Sequence, residues 1–164
     1  MSKKLNIVAV GTGDWHKPAL YVGYVKTFLE KTPGIKGRTE MTIVCPDFNG
    51  SFKGLLPKIK PLSPDMVTVT PHEDWDNASM FELCHKLKNW NPDLVIVVYA
   101  ESPRNRIQVE DVRKSGVIDY IIHGEAEIPF TALVKYLLDG GNAQFNFPNI
   151  ICFKREAALS KTKS

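Results

Sequence analysis

Apolar positions along the chain alternate between short continuous runs and stretches of helical spacing. Leu5 to Val10 is nearly all apolar and leads into Gly11-Thr12-Gly13-Asp14, the pattern of a buried strand ending in a tight loop. Pro18 suits the first turn of a helix over Pro18 to Lys31, where Leu20, Val22, Val25, Phe28 and Leu29 recur at helical intervals and Pro33-Gly34 ends the element. Thr39 to Cys45, rich in Thr, Ile and Val, reads as a second strand closed by Pro46-Asp47 and Asn49-Gly50. Ser51 to Pro64 carries Pro57, Pro61 and Pro64, so an irregular crossover with at most a short helix is expected.

Met66 to Thr70 reads as a third strand. A helix is expected over Asn77 to Trp90, with Met80, Phe81, Cys84, Leu87 and Trp90 on one side. After the break at Asn91-Pro92-Asp93, Leu94 to Ala100 is the most apolar run of all, as a central parallel strand covered on both faces requires. A helix near Val109 to Lys114, a fifth strand from Ile118 to Ile122 ending at His123-Gly124, and a helix over Ile128 to Leu138 complete the alternation. Asn149 to Phe153 is a further candidate edge strand. Strands and helices alternating at intervals of about thirty residues indicate an α/β fold, a doubly wound and mainly parallel sheet of five strands with helices on both faces.

Composition and charge narrow the function classes. With 164 residues, 43% of them hydrophobic, the chain is long enough for one self-sufficient core. A net charge of +3 with Lys and Arg dispersed argues against a nucleic-acid surface. Cys45, Cys84 and Cys152 are too far apart for a disulfide framework, a paired zinc signature or an iron–sulfur loop. The apolar run after Met1-Ser2-Lys3-Lys4 is too brief for a membrane span and lacks a small-residue cleavage site, so a cytoplasmic location is expected.

Open α/β sheets bind ligands outside the carboxyl ends of their strands, where the strand order reverses. That rule selects Gly11 to Lys17, Thr70 to His72, Tyr99 to Ser102, and His123 to Glu127. In the last of these, Ile118-Asp119-Tyr120-Ile121-Ile122-His123-Gly124-Glu125-Ala126-Glu127-Ile128-Pro129-Phe130 resembles the Asp-Tyr…Gly-Glu-x-Glu-x-x-Phe signature of the cobalamin-binding domain at the front of radical SAM proteins. The order is kept upstream: Asn91-Pro92-Asp93-Leu94-Val95-Ile96-Val97 is similar to that family's fourth strand, Pro64 to Thr70 to its third, and Pro18 to Tyr24 to the opening of its first helix. The resemblance implies a flavodoxin-like domain over residues 1–154, with 155–164 a polar tail or the start of a linker. It also implies a corrinoid cofactor at the carboxyl edge of the sheet.

The first loop carries a second likeness. Gly13-Asp14-Trp15-His16-Lys17-Pro18-Ala19 resembles the Asp-x-His-x-x-Gly motif of methionine-synthase-type cobalamin domains, in which the imidazole is the lower cobalt ligand and the carboxylate fixes its tautomer. The resemblance makes His16 the candidate cobalt ligand and Asp14 its partner; the alternative is an exposed pair in which Asp14 caps the next helix. Ala19 departs from the motif's glycine. So does Tyr99-Ala100-Glu101-Ser102, which stands where relatives end their fourth strand in Gly-Gly, so that Tyr99 and Glu101 either block the cleft or line it differently. Thr70 takes the place of the small hydroxyl residue that ends the third strand.

The resulting cofactor-binding set is Gly13, Asp14, Trp15, His16, Thr70, Tyr99, Ala100, Glu101, Gly124, Glu125, Ala126 and Glu127. Glycine lets backbone approach a large flat ring closely, which favours the Gly124 turn as a ligand loop; the alternative is that Glu125 and Glu127 only favour a helix N-terminus. His72, Glu73, Asp74 and Asp76 read as caps and solvated charge rather than a metal site, and His85 as a surface helical histidine. Lys58, Lys60, Arg104 and Arg106 have no phosphate loop beside them, and Gly11-Thr12-Gly13 lacks the third glycine of a dinucleotide fingerprint.

By resemblance the partner is a radical SAM catalytic domain, in cis downstream or in trans, that supplies the iron–sulfur cluster and S-adenosylmethionine for methyl transfer or a rearrangement. No such three-Cys loop occurs in this chain, so an excised domain or a stand-alone module without its own catalytic centre is expected. The rival reading is a cofactor-free interaction or scaffold domain on the same fold.

Overall fold

A computed structural model describes residues 4–11, 20–46, 52–71, 77–100, 108–141 and 145–153; in Leu20 and Tyr21 only the backbone is described. Six strands form one sheet: β1 (Leu5–Val10), β2 (Thr39–Val44), β3 (Met66–Val69), β4 (Val95–Ala100), β5 (Tyr120–His123) and β6 (Ile150–Cys152). Their order is β2-β1-β3-β4-β5-β6, all parallel except β6, which runs antiparallel to β5. The expected doubly wound sheet is present, and Asn149 to Phe153 does supply the edge strand at its centre.

The helices are α1 (Leu20–Lys31), α2 (Leu56–Ile59) running into a 3-10 turn at Lys60–Leu62, α3 (Asn77–Trp90), α4 (Val109–Ser115) and α5 (Glu127–Leu138). Parallel connections are right-handed, so the reversal of strand order after β2 sends α1 to one face of the sheet and α2, α3 and α4 to the other. Alternate residues of each strand supply the two cores. Val8, Val10, Val67, Val69, Ile96 and Val98 meet α2 to α4, whereas Ile7, Ala9, Met66, Val97 and Tyr99 meet α1 and α5. β3 and β4 are buried at every position, which is why their sequences are continuous rather than alternating.

Three details depart from the sequence reading. Phe28 is 40% exposed, because Val22, Val25 and Leu29 fall within about 60° of one another around α1 while Phe28 lies about 60° beyond Val25 and about 100° from Leu29. Trp90 is 36% exposed at the end of α3, with the Lys60 ammonium 5.9 Å from its ring centre, while Leu83, on the same face two turns earlier, is buried. β5 begins at Tyr120 rather than Ile118, since Asp119 turns its carboxylate to the Ile96 N–H and to Lys88.

Candidate functional site

The strand order reverses between β1 and β3, so the carboxyl ends of β1, β3, β4 and β5 border one crevice region. The described residues there are Gly11, Thr70, Tyr99, Ala100 and the turn from His123 to Glu127. Gly11 N–H donates to Val44 C=O at 3.0 Å, which fixes where the chain leaves β1. Thr70 is 5% exposed at the end of β3. Gly13, Asp14, Trp15, His16 and Glu101 lie outside the described residues, as does the His72 to Asp76 cluster.

Gly124 sits at φ +70°, a conformation that disfavours a side chain, and makes the sharp turn from β5 into α5. It is exposed, and a Cβ built on it would meet nothing within 4 Å, so the surface above the turn is open. The turn is clasped to the end of β4 from two sides. Gly124 N–H donates to Ala100 C=O at 3.3 Å, and the Tyr99 hydroxyl donates to Gly124 C=O. These two bonds tie the loop to the end of β4. Glu125 is exposed, Glu127 half-buried in the first turn of α5, and Ala126 buried at 3%. A carboxylate in the first turn also favours the helix dipole, so Glu127 has a structural role whatever the ligand.

Tyr99, only 5% exposed, lies on the face covered by α1 and α5. There it lines an apolar slot with Ala9, Val22, Thr68, Val97, Ala126 and Phe130. The remaining gap is ≈ 10 Å³, the room of about one water molecule. Tyr99 is one wall of this gap. The slot was missed in the sequence, although its strand residues follow from the period of two: Tyr99 shares its face with Val97, and Thr68, one register step across, brings the hydroxyl.

Of the remaining candidates, His85 is exposed on α3. Among the described residues no group of three or more His, Cys, Asp or Glu side chains could hold a metal ion, and no helix is long and apolar enough to cross a membrane. Cys84 is wholly buried against the α3 side of the sheet, and burial pushes its thiol up to about 12, which makes it a packing residue rather than a nucleophile.

No family model matches the chain, and no curated protein matches it. Solved structures do. A cobalamin-binding protein from Desulfitobacterium hafniense DCB-2 is 19% identical with a TM-score of 0.56, over 82% of this chain and 60% of that one. The cobalamin-dependent S-adenosylmethionine radical enzyme OxsB is 14% identical with a TM-score of 0.66, over 90% of this chain and 20% of the enzyme. A putative pilus assembly-related protein from Burkholderia pseudomallei K96243 is 15% identical with a TM-score of 0.52, over 89% of this chain and 97% of that one. The chain thus spans less than two thirds of the first neighbour and a fifth of the second. At such identities the likeness establishes the flavodoxin-like α/β fold, shared by proteins of different roles.

Proposed function

We propose that this chain is a corrinoid-binding module that holds cobalamin across the carboxyl edge of its sheet and presents it to a radical SAM catalytic domain, in cis or in trans. The observation that carries the reading is the Gly124 turn: an open glycine at φ +70° on the carboxyl edge of the sheet, two strands from the strand-order reversal and tied to the end of β4 by Ala100 and Tyr99. Open surface over a glycine suits a broad flat ring. The likeness to two cobalamin proteins supports the same reading.

The bound corrinoid would supply the cobalt chemistry, methyl transfer or rearrangement, while the protein gives position and axial control. Gly124, Glu125 and Ala126 would lie under the ring's edge and Thr70 beside it, with Tyr99 and Ala100 holding the turn. His16, with Asp14, is the proposed lower ligand from the first loop, and Gly13, Trp15 and Glu101 complete the proposed rim.

Reconstitution with hydroxocobalamin followed by desalting tests the reading: retained corrin absorbance is expected, and its absence would sink it. An unchanged cobalamin spectrum in His16→Ala would remove the lower-ligand assignment and leave binding intact. The second reading, a cofactor-free interaction domain, is favoured by the narrow slot at Tyr99 and by the end-to-end likeness to a pilus assembly-related protein. Failure of reconstitution would favour it.

A further inference from the structure

Corrinoids occur in two forms, the bare ring and the ring with a planar aromatic base on a flexible tether. The ring needs open surface. A tethered base that leaves the cobalt needs an apolar slot a few ångströms thick, or else it stays in water. Beside the Gly124 turn this chain offers open surface, and a slot whose residual gap is ≈ 10 Å³.

Tyr99, 5% exposed, is one wall of the slot and the largest side chain among those named on it. Its ring packs between the sheet and the α1–α5 layer, beside Ala9, Val97, Ile122 and Phe130, and its hydroxyl is anchored on Gly124 C=O at the slot's carboxyl-edge end. Ala126, also part of the slot wall, directly precedes α5, so the ring cannot withdraw without disturbing the turn. Moving Tyr99 out would break the hydroxyl bond to Gly124 and expose an aromatic ring now 5% accessible.

We propose that Tyr99 closes the slot of the corrinoid site to a planar base, so that the module does not discriminate between base-free and base-bearing corrinoids. The inference rests on the corrinoid reading above. Removing the ring leaves an apolar cavity on the order of 100 Å³, close to the size that stays dry and binds benzene-sized guests.

Equilibrium binding of diaquocobinamide, hydroxocobalamin and free 5,6-dimethylbenzimidazole is measured on wild type, Tyr99→Phe and Tyr99→Ala, each checked for folding by circular dichroism. Wild type and Tyr99→Phe, which both keep the ring, should bind the two corrinoids within about threefold of each other and ignore the free base. Tyr99→Ala should favour hydroxocobalamin over diaquocobinamide by about tenfold or more and bind free dimethylbenzimidazole. A wild-type preference for hydroxocobalamin of about tenfold or more overturns the proposal, and so does a folded Tyr99→Ala with an unchanged ratio. If wild type binds neither corrinoid, the module reading fails by itself. The free base then decides the slot: binding to Tyr99→Ala alone upholds the plug, and any other pattern overturns it.

Discussion

Replacing Asp119 by alanine tests how β4, β5 and α3 are locked together at the end of the sheet opposite the site. The Asp119 Oδ2 accepts from Ile96 N–H at 2.7 Å and from Lys88 Nζ at 2.9 Å, and the same ammonium donates to Leu94 C=O at 2.6 Å. The two side chains are 17% (Lys88) and 10% (Asp119) exposed, so water replaces little of what is lost. Loss of the carboxylate leaves the Ile96 N–H without this acceptor, at a cost of about 1–3 kcal/mol. It also strands the ammonium, and breaking a buried pair from one side costs about 3–5 kcal/mol, reduced here because a lysine stem can swing its head toward solvent. We expect a total destabilisation of about 3 kcal/mol, a drop of roughly 6–12 °C in melting temperature for a chain of this size. Urea unfolding of wild type, Asp119→Ala, Lys88→Met and the double variant gives the coupling, expected at about 1–3 kcal/mol because the double variant leaves no charge behind. A loss below about 1 kcal/mol for Asp119→Ala, or additive effects around the cycle, refutes the lock.

Two other expectations concern single residues. The Cys84 thiol is held protonated by burial, with its ionisation pushed up to about 12, whereas the unfolded thiol ionises near 9. In that window the folded state binds the extra proton, so stability is complete below about pH 8.5 and falls as pH rises, by up to about 1.4 kcal/mol per unit. Urea midpoints between these limits should therefore fall more steeply for wild type than for Cys84→Ala, and parallel slopes would show that the thiol escapes its burial. Gly124→Ala should destabilise by about 1–2 kcal/mol, the penalty of a left-handed side-chain residue, since the added methyl meets no neighbour. Thermal melts measure this, and a neutral effect would mean that the turn relaxes to negative φ.

How much was legible follows from which forces write themselves into local sequence. A strand buried on both faces must be apolar throughout, so Leu5–Val10 and Val95–Ala100 announced themselves, and the helix after each strand followed from spacing. Helix faces were less legible. Phe28 matches the apolar alphabet, but only the rotation of α1 against its neighbours decides that it is exposed while Leu29 is buried, and Trp90 shares the face of the buried Leu83 yet stands at the exposed end of α3. The Asp119 network was invisible because its partners lie 31 and 23 residues away, and it delayed β5 to Tyr120. At the site, the Gly124 turn was readable because only glycine sits easily at positive φ, whereas the clasp from Tyr99 depends on two strands meeting in register, Tyr99 opposite Ile122.

The same pair of strands therefore carries two opposite constraints on any ligand. At the carboxyl edge the Gly124 turn is tied to β4 by Ala100 and Tyr99, so a ring laid on it pays less ordering entropy for the loop. Entry beneath the edge is the reverse case, because the bond from Tyr99 must break and its ring must find another place before the slot can accept anything. These terms pull in opposite directions for surface contact and for insertion. The geometry consequently favours a ligand recognised by what lies on the sheet edge over one recognised by what penetrates it. Substitution at Tyr99 is the change that would invert this balance without touching the exposed turn.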